Sequence, residues 1–478
     1  MNAYVEVQAE ELAFEESVEP ATEQVAEERR WLVSVSLPCP GVEPMRVLGA
    51  ASGQERFYWQ DPRTAVTYVA FGVAADLRSL SPHRFQTIAN EAELLFADAQ
   101  IADGIPAFAE PQLFGGFAFS DDFTPDNTWS IYYPAQFILP HYQFALYAPT
   151  SGQKEAWLTI NALLESSEHS DLIELRQQLT DALHERIEQL QQTMVETSTD
   201  QSALQNRSYP MNFASWEAML NRALDAFNGG RLNKVVLSRV CELRFRQQVN
   251  TDAALTFLNA HYPDCFRFLF EPIAEHVFFG ASPELLINLQ GQQIQTMGLA
   301  GSERRGATPA EDDRLGQELL NSEKNQHEHK LVVDAIRSRL APLCRDLCIP
   351  QTAQLLKLSN IQHLYTPIQG TLAQPQTIFD LVRLLHPTPA LGGSPKEQAL
   401  AFISQNEPVP RGWYGAPVGI VNRHLEGTFS VAIRSAVTDH ERVWLHAGAG
   451  IVAASDPQKE WDETALKFRP ILNALGVR

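Results

Sequence analysis

Glu460, Glu463 and Lys467 recur at i, i+3 and i+7, so they share one face of any helix that carries them. Two carboxylates beside a lysine can be surface ion pairs. Joined by a carboxylate from a second helix, they can instead hold Mg²⁺, which takes hard oxygen ligands from few protein groups and keeps some of its water. His327-Glu328-His329 offers that second source. It is not a zinc protease motif: H-E-x-x-H needs a second histidine where Leu331 stands, and neighbouring side chains on a helix diverge by about 100°. On a solvated helix the same segment would form Glu323–His327 and Lys324–Glu328 pairs. Glu284, in GASPELL (280–286), follows a small-residue turn and precedes an apolar, strand-like run. It reads either as an exposed turn residue or as a general acid whose apolar surroundings keep it protonated near neutrality. Arg434 ends the apolar run SVAIR, where an unpaired guanidinium would be costly, so it needs an anion from the protein or from a ligand. Gly448 and Gly450 in HAGAG form either a plain tight turn or a backbone that a carboxylate can approach closely.

Taken in chain order, KVVLSR (234–239), GASPELL, LAGSERRG (299–306), EKNQHEHKLV (323–332), HPTPALGG (386–393), RGWYGAPVG (411–419), SVAIR (430–434) and HAGAGIV…KEWDETALK (446–467) form a specific set. With it, the sequence from about residue 208 onward resembles the chorismate-utilising enzymes, most of all the isochorismate synthases. The resemblance implies Mg²⁺ bound by Glu328 and Glu463, with Glu460 acting through water. A further acidic ligand of some relatives is replaced here by Asn325. It implies Lys234 as the base that activates water for attack on carbon 2, and Glu284 as the acid that protonates the hydroxide leaving carbon 4. A lysine does this near pH 7 only if burial or nearby cations favour the amine. Arg434 and Tyr414 match residues gripping the enolpyruvyl carboxylate, Lys467 matches another carboxylate contact, and Gly301, Ser302 and His363 match pocket positions. On its own, His363 reads equally as a core histidine. Lys234 favours water as nucleophile, because ammonia-using anthranilate synthases carry Gln there; Ala390 agrees, because amine-using relatives and salicylate synthases carry Thr there.

The implied activity is reversible, Mg²⁺-dependent conversion of chorismate to isochorismate, feeding quinone, siderophore or salicylate synthesis. Salicylate synthesis and non-catalytic chorismate binding are the alternatives. The implied fold is one mixed α/β (α+β) domain, two stacked and largely antiparallel sheets flanked by helices, acting as a monomer. LLES (163–166) matches the tryptophan-inhibition signature of anthranilate synthases in letters, but it falls far too late in the chain and is read as chance.

The elements that must position these residues are partly visible. From Trp31 to about Pro149, strands such as WLVSVSL, RFYWQ and AVTYVAFGV alternate with loops, and a helical stretch interrupts them at 84–97. Leu172, Leu175, Leu179, Leu183, Ile187 and Leu190 mark an amphipathic helix. Polar residues 191–209 read as a linker between two halves, 31–207 and 208–478, of one catalytic domain spanning 31–478. Beyond it the pattern predicts a helix over 213–227 and a strand over KVVLSRVCELRF. VFFGASPELLINLQGQQIQTM reads as three strands joined by two turns, and 310–342 as one long helix. Strands follow at 428–434 and 442–446, then a last helix capped by Asp456 with Pro457 at its first position. Cys344 and Cys348 fall four apart on a helical pattern, as neighbouring core positions.

A formal net charge of −21 argues against nucleic acid and anionic membranes as partners, since both need basic surface. No run of 18 apolar residues predicts a membrane span. Five cysteines without a CxxC pair suit a reducing cytoplasm. Residues 1–30, acidic from Glu6 to Glu28, read as a solvated, partly disordered tail rather than a signal peptide.

Overall fold

Runs in which alternate residues are apolar pair into two sheets in the computed structural model, which describes residues 30–123, 125, 127–165, 169–193 and 201–477. The expected acidic tail lies outside the described residues, save Arg30. In the larger, thirteen-stranded sheet, Leu204–Ser208, Lys234–Phe245, Arg442–Ile451, Ser435–Asp439, His276–Ser282 and Phe266–Ile273 lie side by side. It continues through Arg56–Gln60 to Arg30–Pro38. The ten-stranded sheet places Cys344–Cys348, Ile361–Leu372, Gln293–Arg304, Leu285–Gln290, Gly427–Val431, Pro417–Val421 and Leu113–Phe117 in order. Among the described residues every pairing is antiparallel except Arg30–Pro38 with Gln100–Ile101. Both sheets draw strands from both halves of the chain.

Strand alternation explains the layering. Phe57 and Trp59 face the other sheet and join a core with Phe117, Phe137 and Phe429, whereas Tyr58 between them faces the opposite way. That opposite face is covered by Pro44–Ala50, His169–Gln192, Thr251–His261 and Pro457–Ala474, whose Leu183, Leu255 and Phe468 bury against it. The result is the mixed α/β architecture expected, two stacked, mostly antiparallel sheets flanked by helices. No helix among the described residues is long and apolar enough to cross a membrane.

Four local expectations need correction. Residues 191–209 are not all linker: the helix reaches Gln192 and Leu204–Ser208 is an edge strand on Lys234–Phe245, while 194–200 lie outside the described residues. A polar sequence is tolerated there because an edge strand is largely exposed. The long helix at 310–342 is two, Pro309–Asn321 and Glu323–Leu340. Ser322 breaks it with an extended backbone (φ −74°, ψ 110°), its hydroxyl accepting the Asn325 N–H. Cys344 and Cys348 lie on a strand, the first half-buried and the second exposed. Arg434 is not inside a strand; it follows Gly427–Val431 and precedes Ser435–Asp439, with φ at 53°.

That last correction reveals how the two sheets connect. His276–Ser282 belongs to the larger sheet and Leu285–Gln290 to the smaller, so Pro283–Glu284 is a crossing between them. Gly427–Val431 and Ser435–Asp439 cross the opposite way through Ala432–Arg434. The crossings are tied together, since Val431 N–H donates to the Glu284 carbonyl at 3.0 Å.

Candidate active site

Around these crossings one cavity, with about 520 Å³ of empty space partly open to solvent, is lined by Glu284, Gly301, Ser302, Glu328, His363 and Ala390. Tyr414, Arg434, Gly448, Gly450, Glu463 and Lys467 complete the predicted residues in its wall, and Val236, Leu391 and Ile433 add apolar surface. Lys234 and Glu460 stand just behind the wall, each held by an ion pair to a neighbour. A larger cleft near Phe119, His386 and Lys396 holds none of these groups.

Glu284 is aimed by its motif. Its N–H donates to Ser282 Oγ at 3.2 Å, and that hydroxyl donates to the Val431 carbonyl at 2.5 Å. The side chain is 4 % exposed. Burial pushes its pKa up to about 8, although the charges of Lys234, Arg434 and Lys467 pull the other way. It is therefore mostly protonated at neutral pH.

Lys234, at the head of its strand, is wholly buried, with Nζ 2.9 Å from Glu328 Oε1. Among the described residues its Nζ has no well-directed hydrogen bond besides this ion pair. Gly450 makes room for this pair: a Cβ there would lie 2.2 Å from Glu328 Oε1 and 3.1 Å from Lys234 Cε.

Three carboxylates each meet a lysine. Besides Glu328 with Lys234, Lys324 Nζ sits 2.5 Å from Glu460 Oε1 and Lys467 Nζ 2.6 Å from Glu463 Oε1. The Lys324–Glu328 pair of the solvated-helix alternative does not form, because Lys324 reaches across to the last helix instead. Burial works against the Lys324 charge, but Glu460, Glu463 and Glu328 together hold its pKa above the ordinary lysine range. One cation thus already feels all three carboxylates. Burial and the neighbouring Glu463 raise the Glu460 pKa. For Glu463, burial is outweighed by Lys467 and Lys324, and the pKa falls. The donor set, hard oxygens from two helices around a cation-filled space, fits Mg²⁺. The three carboxylates are not drawn within 4.8 Å of one another, since each leans on its own lysine.

Arg434 is 7 % exposed, with its Nη2 3.3 Å from His363 Nε2. A guanidinium only donates, so His363 Nε2 accepts and its Nδ1–H faces Ser302 Oγ at 2.9 Å. Burial, with Arg434 and Lys467 adding to it, holds the His363 pKa well below its usual value, so the ring is neutral. Ser302 reaches it because the strand pairing shifts register at Gly301, which adopts φ +78°. Tyr414 is buried, which pushes its pKa up to about 12 and keeps the hydroxyl protonated; its ring stacks on His446 at 5.0 Å. The Gly448 N–H serves the Tyr414 hydroxyl, and the Gly448 carbonyl accepts from Lys467 Nζ at 2.8 Å. The HAGAG segment is thus a strand, not a tight turn.

A family model described as "Chorismate binding enzyme" matches residues 17–476. The chain belongs to the chorismate-binding enzyme family. It is 34% identical over 460 residues to the salicylate biosynthesis isochorismate synthase of Pseudomonas aeruginosa, covering 94% of this chain and 91% of that protein. It is 30% identical over 459 residues to isochorismate synthase MenF of Bacillus subtilis, covering 93% of each. Its fold matches MenF, the menaquinone-specific isochorismate synthase from Escherichia coli, with a TM-score of 0.75 at 26% identity, covering 93% of this chain and 94% of that one. Within this chorismate-binding fold, sequence reasoning missed Lys324 and His446. Lys324 offers a signal, a lysine four residues before Glu328, but that spacing points to Glu328 and not to Glu460, with which it pairs. His446 offered none, since its role as the ring under Tyr414 arises only from strand pairing.

Proposed function

We propose that the chain is an isochorismate synthase, interconverting chorismate and isochorismate with Mg²⁺. What carries the reading is a buried carboxyl that keeps its proton at neutral pH, in the same cavity wall that a buried lysine backs. Water attacks carbon 2 of the ring as Lys234 takes a proton from it. The two ring double bonds shift, and the hydroxide departing from carbon 4 leaves as water with the proton of Glu284. One water is consumed and one released, so the reaction runs in either direction with the two groups exchanging roles.

Arg434 presents a guanidinium fork held by neutral His363, and Tyr414 presents a hydroxyl beside it; both suit the enolpyruvyl carboxylate. Lys467, anchored to the Gly448 carbonyl, supplies a further cation. Glu328 and Glu463 would hold Mg²⁺, with Glu460 reached through water, and the ion would neutralise the ring carboxylate. Ala390 offers no hydroxyl to keep isochorismate in place for pyruvate elimination, which favours release of isochorismate over salicylate. Free cysteines and the strongly negative charge fit a cytoplasmic chain acting on a small molecule. The test starts from pure isochorismate with Mg²⁺. Chorismate should appear until the two equilibrate, and stoichiometric salicylate and pyruvate, or no turnover, would overturn the reading.

A further inference from the structure

At one end of the larger sheet, away from the cavity, two turns face each other. One links Phe266–Ile273 to His276–Ser282, the other Ser435–Asp439 to Arg442–Ile451. Each holds a non-glycine residue in the left-handed region, Glu275 at φ 73° and His440 at φ 53°, and the His440 N–H donates to the Glu275 carbonyl at 3.3 Å. Their side chains converge. His276 Nε2 lies 3.1 Å and His440 Nε2 3.8 Å from the same atom, Asp439 Oδ1. In both rings the other nitrogen already has an oxygen partner: His276 Nδ1 lies 3.4 Å from the Ala274 carbonyl, and His440 Nδ1 pairs with the Glu275 carboxylate. Among the described residues, these three side chains are the one His, Cys, Asp or Glu group whose ligating atoms all lie within 4.8 Å of one another.

Metal-ligating histidines nearly always donate their second ring N–H to a carbonyl or carboxylate, which fixes the tautomer and aims the free nitrogen. Both features are present here. We propose that His276, Asp439 and His440 bind a divalent transition-metal ion of the zinc class, with Glu275 orienting His440. Two imidazoles and one carboxylate suit Zn²⁺, Ni²⁺ or Cu²⁺ and do not suit Mg²⁺, which prefers oxygen. The remaining positions would face solvent, since His440 is exposed. Bound there, the ion ties one hairpin to the next, at the opposite end of Ser435–Asp439 from Arg434. It is distinct from the carboxylate cluster of the cavity.

The test titrates the metal-stripped full-length chain with Zn²⁺ by calorimetry, in excess Mg²⁺ so that the oxygen-lined site is already served. One equivalent should bind. His276→Ala and His440→Ala should each weaken that binding at least ~10-fold, and Glu275→Gln about 10-fold, the usual loss when an orienting partner is removed. Chorismate turnover should be unchanged in all three. Cu²⁺ bound to the unaltered chain should show coupling to two nitrogens by electron paramagnetic resonance. No zinc binding by the unaltered chain, or binding of equal strength in the histidine variants, would overturn the proposal.

Discussion

Replacing Glu284 with glutamine removes a proton whose population the structure sets. With the usual pKa of 4.5, only about one molecule in 300 would carry that proton at pH 7; at about 8, roughly nine in ten do. Burial therefore enlarges the acid form about 300-fold. Turnover of chorismate should stay level from pH 6 to 7 and fall about tenfold from pH 7 to 9, as the acid is lost on passing through 8. Glu284→Gln should lower kcat by about 10²-fold or more, the scale of a positioned proton donor, and should lose that falling limb. Stability provides an independent reading. Between pH 4.5 and 8 the folded chain keeps a proton that the unfolded chain releases, so stability declines as pH rises through this window and levels off beyond it. The full decline is at most about 5 kcal/mol, and water penetration reduces it. Glutamine has no such term, so the thermal midpoint of Glu284→Gln should gain on the unaltered chain as pH goes from 5 to 8. A difference that stays flat across that range would mean that Glu284 titrates as an ordinary surface carboxyl, and the assignment of an acid here would fail.

Lys234→Gln should lower kcat by about 10²-fold or more while chorismate still binds in equilibrium measurements; near-normal turnover would remove it as the base. Glu463→Gln should markedly weaken Mg²⁺ binding followed by calorimetry, because an amide is a poorer ligand for a hard cation, and Glu460→Gln should weaken it less. An equal loss would put Glu460 on the metal directly. Gly450→Ala forces Glu328 off its position, because the added Cβ would come within 2.2 Å of Oε1. Turnover should fall at least ~10-fold with the melting temperature little changed, since misplacement by an ångström can cost about 10²-fold. Retained activity would show that Glu328 works from elsewhere.

The family resemblance singled out most of the candidate site residues, and local pattern then placed several of them on regular elements. The Lys234–Phe245 strand, the Asp456 cap and the shared face of Glu463 and Lys467 all follow from local patterns, and the structure has them. What local pattern could not supply was partnership over distance. Lys324 lies one turn from Glu328 in sequence, yet its ammonium is taken by Glu460, 136 residues away, because the carboxylates of Glu328, Glu460 and Glu463 all attract it. Arg434 looked like a strand residue because SVAIR is apolar up to it, and no propensity signals a left-handed arginine at a sheet crossing. The break at Ser322 was readable as a helix cap, but the polar residues on both sides masked it within one long helical pattern.

The two crossings that carry Glu284 and Arg434 constrain how this chain can vary in length. Pro283–Glu284 spans two residues and Ala432–Arg434 three, and both ends of each run straight into paired strands. Side chains alternate along a strand, so one inserted residue would turn every later side chain to the opposite face unless the turn absorbed it. Here there is no turn to absorb it. An insertion at Pro283 would either carry Glu284 out of the cavity or exchange the packing positions of Leu285, Leu286 and Ile287, all now buried. By contrast, the exposed hairpin tip at Gln290–Gly291 has slack, and Gly291 already holds a turn conformation at φ 59°. Length changes should therefore collect at hairpin tips, and the crossings that carry Glu284 and Arg434 should be closed to insertion.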